Sequence, residues 1–182
     1  MKKIIALGAI LVLLSVSCKT TNPPATDKGI QKNETTKTET VEKFNGKAAY
    51  VAISDFSILA KDKSYNFLST EIPNDLASGF AKGGLVKPVE RQELDKAIKE
   101  IKLSMSGLTD EDYSLQAGKL LGATYILLGS MSKIGDQIKI TCRLIETETS
   151  QIVYTESARG LYSNLFDVED DLKGKIESYF KK

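Results

Sequence analysis

Residues 124–155, TYILLGSMSKIGDQIKITCRLIETETSQIVYT, set the architecture of this chain. Thr124 to Ile134 is a strand-length run, apolar enough at its start for a central strand. Gly135-Asp136 follows as a hairpin turn. Beyond it Ile138, Ile140, Cys142 and Leu144 share one face of a strand, and Lys139, Thr141 and Arg143 share the other. That period of two belongs to a sheet with one buried side. Thr147 to Ser150 makes a second turn into Gln151–Thr155, so the segment predicts an antiparallel meander of three strands.

Upstream, the pattern alternates between strands and helices. Ala48 to Phe56 (AAYVAISDF) is an apolar run of strand length. Leu68, Ile72, Leu76 and Phe80 recur every four residues and predict a helix capped by Thr70, with Pro73 in its first turn and Gly83-Gly84 at its end. Leu85 to Val89 is a short strand. Glu90 to Leu103 is a helix with Leu94, Ile98 and Ile101 on one face. Thr109-Asp110-Glu111-Asp112 has capping-box spacing and opens a helix that closes at Leu121-Gly122. After the meander, Leu165, Val168, Leu172, Ile176 and Phe180 mark a last helix, ending on Lys181-Lys182. The expected order is β-α-β-α-α-β-β-β-α. It is an α/β (α+β) domain over residues 47–182, with helices packed on a mixed sheet. No internal repeat is visible.

The amino terminus has a different character. Met1-Lys2-Lys3 is positively charged, and Ile4 to Val16 (IIALGAILVLLSV) is a 13-residue run without charge. Roughly 30 Å of hydrocarbon needs a longer helix, whereas a signal-peptide core does not. Residues 1–17 therefore read as a signal peptide, with small Ser15 and Ser17 at −3 and −1 from Cys18. Leu14-Ser-Val-Ser-Cys18 resembles a loose bacterial lipobox, which implies cleavage before Cys18 and lipidation of its sulfur. An ordinary signal peptidase would cut the same bond, leaving Cys18 as a free thiol able to pair with Cys142. Lipid attachment is the favoured reading, and several acyl chains on one terminus hold a protein stably to a membrane.

Residues 18–46 then form the expected tether. Within 19–43 there are seven threonines, Pro23-Pro24, scattered charge and no aromatic residue. Such a stretch buries too little apolar area to offset its ordering entropy. As a coil those residues span about 25–30 Å, and drawn out they reach at most about 80–90 Å. Asn33-Glu34-Thr35 is formally a glycosylation sequon, which in a bacterial lipoprotein is chance.

Composition removes several classes of chemistry. The formal charge is +1, and without Lys2 and Lys3 the balance is 23 basic against 24 acidic side chains, which leaves no basic footprint for nucleic acid. The absence of histidine removes the commonest general base and transition-metal ligand. Gly118-Lys119-Leu120 lacks phosphate-loop spacing, and Ala81-Lys82-Gly83-Gly84 reads as a helix terminus. The acidic runs Asp110–Asp112 and Glu169–Asp171 fall early in helices and lack the glycine and distal glutamate of a calcium loop, so they read as caps and dipole partners. Cys142, on an apolar strand face, reads as a small buried hydrophobe. No catalytic, cofactor or metal site is expected, and the chain is read as a non-enzyme.

Val89-Glu90-Arg91-Gln92-Glu93-Leu94, Ser106-Gly107, the run from Leu120 to Ser130 and the run from Arg143 to Val153 resemble the CsgG-type domain. That group includes the curli secretion channel, the FlgO-type flagellar lipoprotein and the LpoB-type lipoprotein activators of penicillin-binding proteins. Its domain is similar to the amino-terminal domain of TolB. The resemblance covers roughly residues 48–160 and implies a non-catalytic protein-binding module. That module would be an outer-membrane lipoprotein facing the periplasm, with a soluble periplasmic form as the alternative. Its partner would be another envelope protein, a penicillin-binding protein among the candidates, or a surface or flagellar assembly. The other reading is self-association into the ring of a curli-like secretion apparatus. Against the channel, the connections between core elements are too short for transmembrane strands of about 9–11 residues each.

Overall fold

The computed structural model describes residues 48–181. Along the chain come β1 (Ala49–Ile53), β2 (Ser57–Leu59), a short 3₁₀ turn (Lys63–Tyr65), α1 (Leu68–Gly83), β3 (Val86–Pro88), α2 (Arg91–Ser104), α3 (Asp110–Leu120), β4 (Tyr125–Ile134), β5 (Gln137–Glu146), β6 (Ile152–Leu161), a second 3₁₀ turn (Tyr162–Asn164) and α4 (Leu165–Phe180). The strands form one sheet in the order β3-β1-β4-β5-β6, with β2 added alongside β4. β1 pairs in parallel with both β3 and β4, and β4, β5 and β6 form the expected antiparallel meander.

The two faces of the sheet carry different helices. On one, Ile72, Leu76 and Phe80 of α1 and Val168, Leu172 and Ile176 of α4 pack on Val51, Leu127, Ile140 and Leu144. On the other, Leu94 and Ala97 of α2 and Ala117 of α3 pack on Ala52, Ile126, Leu128 and Ile145. Each fully buried large aliphatic side chain contributes about 1.5–3 kcal/mol. The alternation read in β5 holds: Ile138, Ile140, Cys142 and Leu144 are buried, and the residues between them face outward.

Three local expectations need correction. The first strand stops at Ile53, and the chain bends through Ser54–Phe56 into β2, a three-residue strand whose partner is the second half of β4. Helix α1 begins at Leu68 behind Phe67, which supplies no side-chain cap; Thr70 lies inside the helix and Pro73 falls in its second turn. Proline there deprives the Ser69 carbonyl of its helical donor, and the backbone N–H of Phe56 donates to that carbonyl at 2.9 Å. Lastly, β6 runs to Leu161, six residues past the predicted end, because its register follows the long β5.

Strand β6 is an edge, which leaves backbone groups open to pairing with another chain. Near its middle both outward groups of Ser157 are occupied: its N–H donates to Glu156 Oε1 at 2.8 Å, and its carbonyl accepts from Lys175 Nζ of α4 at 3.1 Å.

Candidate functional site

The sheet order reverses at the carboxyl end of β1, where one connection leads to β3 and the return through α2 and α3 leads to β4 on the opposite side. Open α/β sheets place ligands at such a point. A cleft of about 430 Å³ lies there, with Ser54, Asp55, Asp95, Lys102, Asp110 and Ser114 among its walls. Most of its polar groups are engaged with one another. Arg91, at the first turn of α2, donates through Nη1 to the Ile53 carbonyl at 2.8 Å and pairs with Asp55 through Nη2. Lys102 bridges to Asp110 at 2.7 Å, and Arg143 pairs with Glu111. The buried Ser114 hydroxyl donates to the Asp110 carbonyl at 2.8 Å, which leaves the Ser54 hydroxyl to donate to Ser114 at 2.7 Å. These are bonds that fix α2 and α3 against the end of β1. No side chain among them is poised beside a base for nucleophilic chemistry.

The acidic runs divide by environment. Thr109 and Asp112 close a full capping box at α3: the Thr109 hydroxyl accepts the Asp112 N–H, and the Asp112 carboxylate accepts the Thr109 N–H at 3.0 Å. The Thr109 hydroxyl donating to the Asp112 carboxylate at 2.7 Å, and after it the Thr109 backbone N–H, hold the Asp112 carboxyl below its usual range. In α4, Asp170 pairs with Lys173 at 3.0 Å and Asp171 with Lys175 at 2.8 Å. Glu169 departs from the surface role expected of it: it turns inward and is only 5% exposed. Burial first, then the charges of Asp75 and Asp170, push its carboxyl up to about 7. Helical spacing carried that signal, since Glu169 shares a stripe with Leu165, Leu172 and Ile176.

Cys18 lies outside the described residues. Cys142 is buried at 2% exposure, and burial pushes its thiol pKa up, so a bridge to it requires the core to open. Gly118 packs α3 against the sheet beside Ala52 and Ile126, and Gly84 caps α1 with φ +73°. Both have structural roles in place of a phosphate loop. Among the described residues, no group of three or more acidic or cysteine side chains converges as metal ligands.

Beyond the reach of α2 and α3, the same sheet face is open and polar. Ser57, Ser130, Thr141 and Ser157 lie in one register row across four strands, with Ser132, Lys139 and Arg159 in the next.

The model of the family "Peptidoglycan-synthase activator LpoB" matches residues 32–159. The chain belongs to the LpoB family. The match spans most of the chain, and the family is one of activators, not of catalysts. Its setting is the bacterial envelope; among the described residues no helix is long and apolar enough to cross a membrane. The fold is similar to the LpoB C-terminal domain from Salmonella enterica, at 17% identity and TM-score 0.52, over 64% of this chain and 86% of that one. The LpoB C-terminal domain from Escherichia coli matches at 17% identity and TM-score 0.52, over 62% and 82%. Lipoprotein GNA1162 from Neisseria meningitidis matches at 12% identity and TM-score 0.50, over 62% and 80%. Comparison with curated protein sequences gives no match.

Proposed function

We propose that this LpoB-family chain regulates peptidoglycan synthesis by docking, without chemistry of its own, on a peptidoglycan synthase of the penicillin-binding type. Residues 1–17 are its signal peptide, Cys18 its acylated anchor to the outer membrane, and residues 18–46 the tether that lets the domain reach into the periplasm. The observation that carries this reading is the family match over residues 32–159. The cleft at the end of β1 is consistent with it, since its ion pairs and hydroxyl bonds tie elements together.

The test is in-cell crosslinking of the full-length chain, with sizing and mass identification of the adducts, beside an assay of glycan polymerisation by the captured synthase. Adducts with one synthase, and stimulation of its polymerisation, are expected. A ladder of self-adducts ending at a fixed multiple would replace the regulator with the ring-forming alternative. Cys18→Ser should move the protein from the membrane fraction to the soluble periplasm; a variant that stays with the membrane rules out Cys18 as the anchor.

A further inference from the structure

Between the first turns of α1 and α4 lies a groove of about 380 Å³. Phe67, Glu71 and Asp75 stand on one side, and Phe166 and Glu169 on the other. A smaller cleft continues it past Asp75 and Glu169 to Asp170. Two features of this groove are unfavourable as they stand. Phe67 and Phe166 leave their rings in water, at 56% and 72% exposure. Glu169 is 5% exposed, yet among the described residues no donor or cation reaches its carboxylate. The charges that raise its carboxyl are the acids Asp75 and Asp170, and the neighbouring Lys173 is paired with Asp170. No side-chain oxygen among the described residues is both sealed from solvent and without a hydrogen bond, so the Glu169 carboxylate opens onto the groove.

A carboxylate drawn out of water without a donor is destabilising, and so is a pair of hydrated aromatic rings. One kind of group relieves both: a long basic side chain, whose methylene stem covers apolar surface while its head carries the charge. Arginine suits the site best, because its guanidinium stacks on aromatic faces and grips a carboxylate with two parallel bonds. Glu71 on the rim and Asp75 beside Glu169 add attraction of the same sign. We infer that the groove between α1 and α4 is the face that docks on the partner protein, receiving an arginine or lysine flanked by apolar residues. The cation lies at Glu169 and Asp75, and the stem between Phe67 and Phe166. This rests on the regulator reading for the identity of the partner, though not for the chemistry of the groove.

A benzophenone-bearing residue placed at position 166 of the full-length chain in the cell tests it, with position 159 on the open sheet face as the comparison. The expected result is an adduct from 166 to a synthase peptide containing a lysine or arginine beside apolar residues. Its yield should fall about tenfold or more with Glu169→Gln, while circular dichroism shows the fold retained. Replacing the mapped cation by glutamate should abolish the adduct, and Asp75→Lys should restore it. Adducts to the synthase from 159 but not from 166 overturn the groove and leave the regulator standing. Adducts from 166 to a cation-bearing peptide of a different envelope protein uphold the groove and sink the regulator. Self-adducts from 166, or yields indifferent to Glu169→Gln, overturn the assigned occupant. Silence from both positions overturns the groove and the regulator together.

Discussion

The ring of Phe56 occupies the space that a side chain on Gly129 would fill, so that a Cβ built there runs into three ring carbons. Phe56 is 2% exposed and stands at the bend between β1 and β2, with its backbone tied to Ser69 of α1. Gly129→Ala must displace the ring or the strand. The expected cost is about 1–3 kcal/mol, read as a lower urea midpoint. Phe56→Leu combined with it should recover part of the loss, as contacting residues do not behave additively.

Glu169 makes stability depend on pH in a defined sense. Its folded carboxyl lies near 7, raised from the ordinary 4.5 by burial and then by Asp75 and Asp170. The folded state therefore holds the proton more tightly than the unfolded chain does. The contribution is fully present below 4.5 and is lost as pH rises through about 7. Glu71, Asp75, Asp170 and Lys173 are the charged groups lining the same grooves. Glu169→Gln should raise stability at about pH 8 by about 1–2 kcal/mol, allowing for solvent in the open groove, and leave it almost unchanged at about pH 4. Urea unfolding at the two pH values measures this.

Helix ends and interiors respond in opposite directions. Thr109→Ala removes the hydroxyl of the capping box at α3 and should cost about 1 kcal/mol. Gly174 lies inside α4 with open space where a Cβ would go, so Gly174→Ala should stabilise by about 0.5–1 kcal/mol. Thermal melts of the two variants should shift to opposite sides of the parent.

The occupied backbone of Ser157 protects the β6 edge. A variant with Glu156→Ala and Lys175→Ala opens that edge to strand pairing. Its sedimentation coefficient should rise with concentration more steeply than the parent's.

The parts of the fold that rest on local pattern are readable in the sequence. The alternation from Ile138 to Leu144, the Gly135 turn, the Thr109 box and the stripe along α4 each depend on residues close in the chain. What stays hidden there depends on distant partners. β2 is a strand only because Ser57 to Leu59 meet Ser130 to Ser132. Pro73 is accommodated inside α1 because Phe56, far upstream, supplies the missing donor. The second half of β6, through Ser157, Ala158, Arg159 and Gly160, has no apolar alternation and takes its form from β5. Glu169 differs, because the spacing of Leu165, Leu172 and Ile176 alone puts it on their stripe and so marks an acid facing inward. Cys18 and residues 1–17, where the sequence predicts a signal peptide, lie outside the described residues.

The chain enters the described fold at Ala48 and becomes β1 at once, a strand held on both sides by parallel neighbours. Any pull on the chain from its amino-terminal side is therefore delivered along the axis of a central strand. The bonds from β1 to β3 and β4 are loaded in shear, so they must yield together, whereas an edge hairpin peels open one bond at a time. A domain built this way resists traction applied at its amino-terminal end, because several backbone bonds of a central strand must break at once.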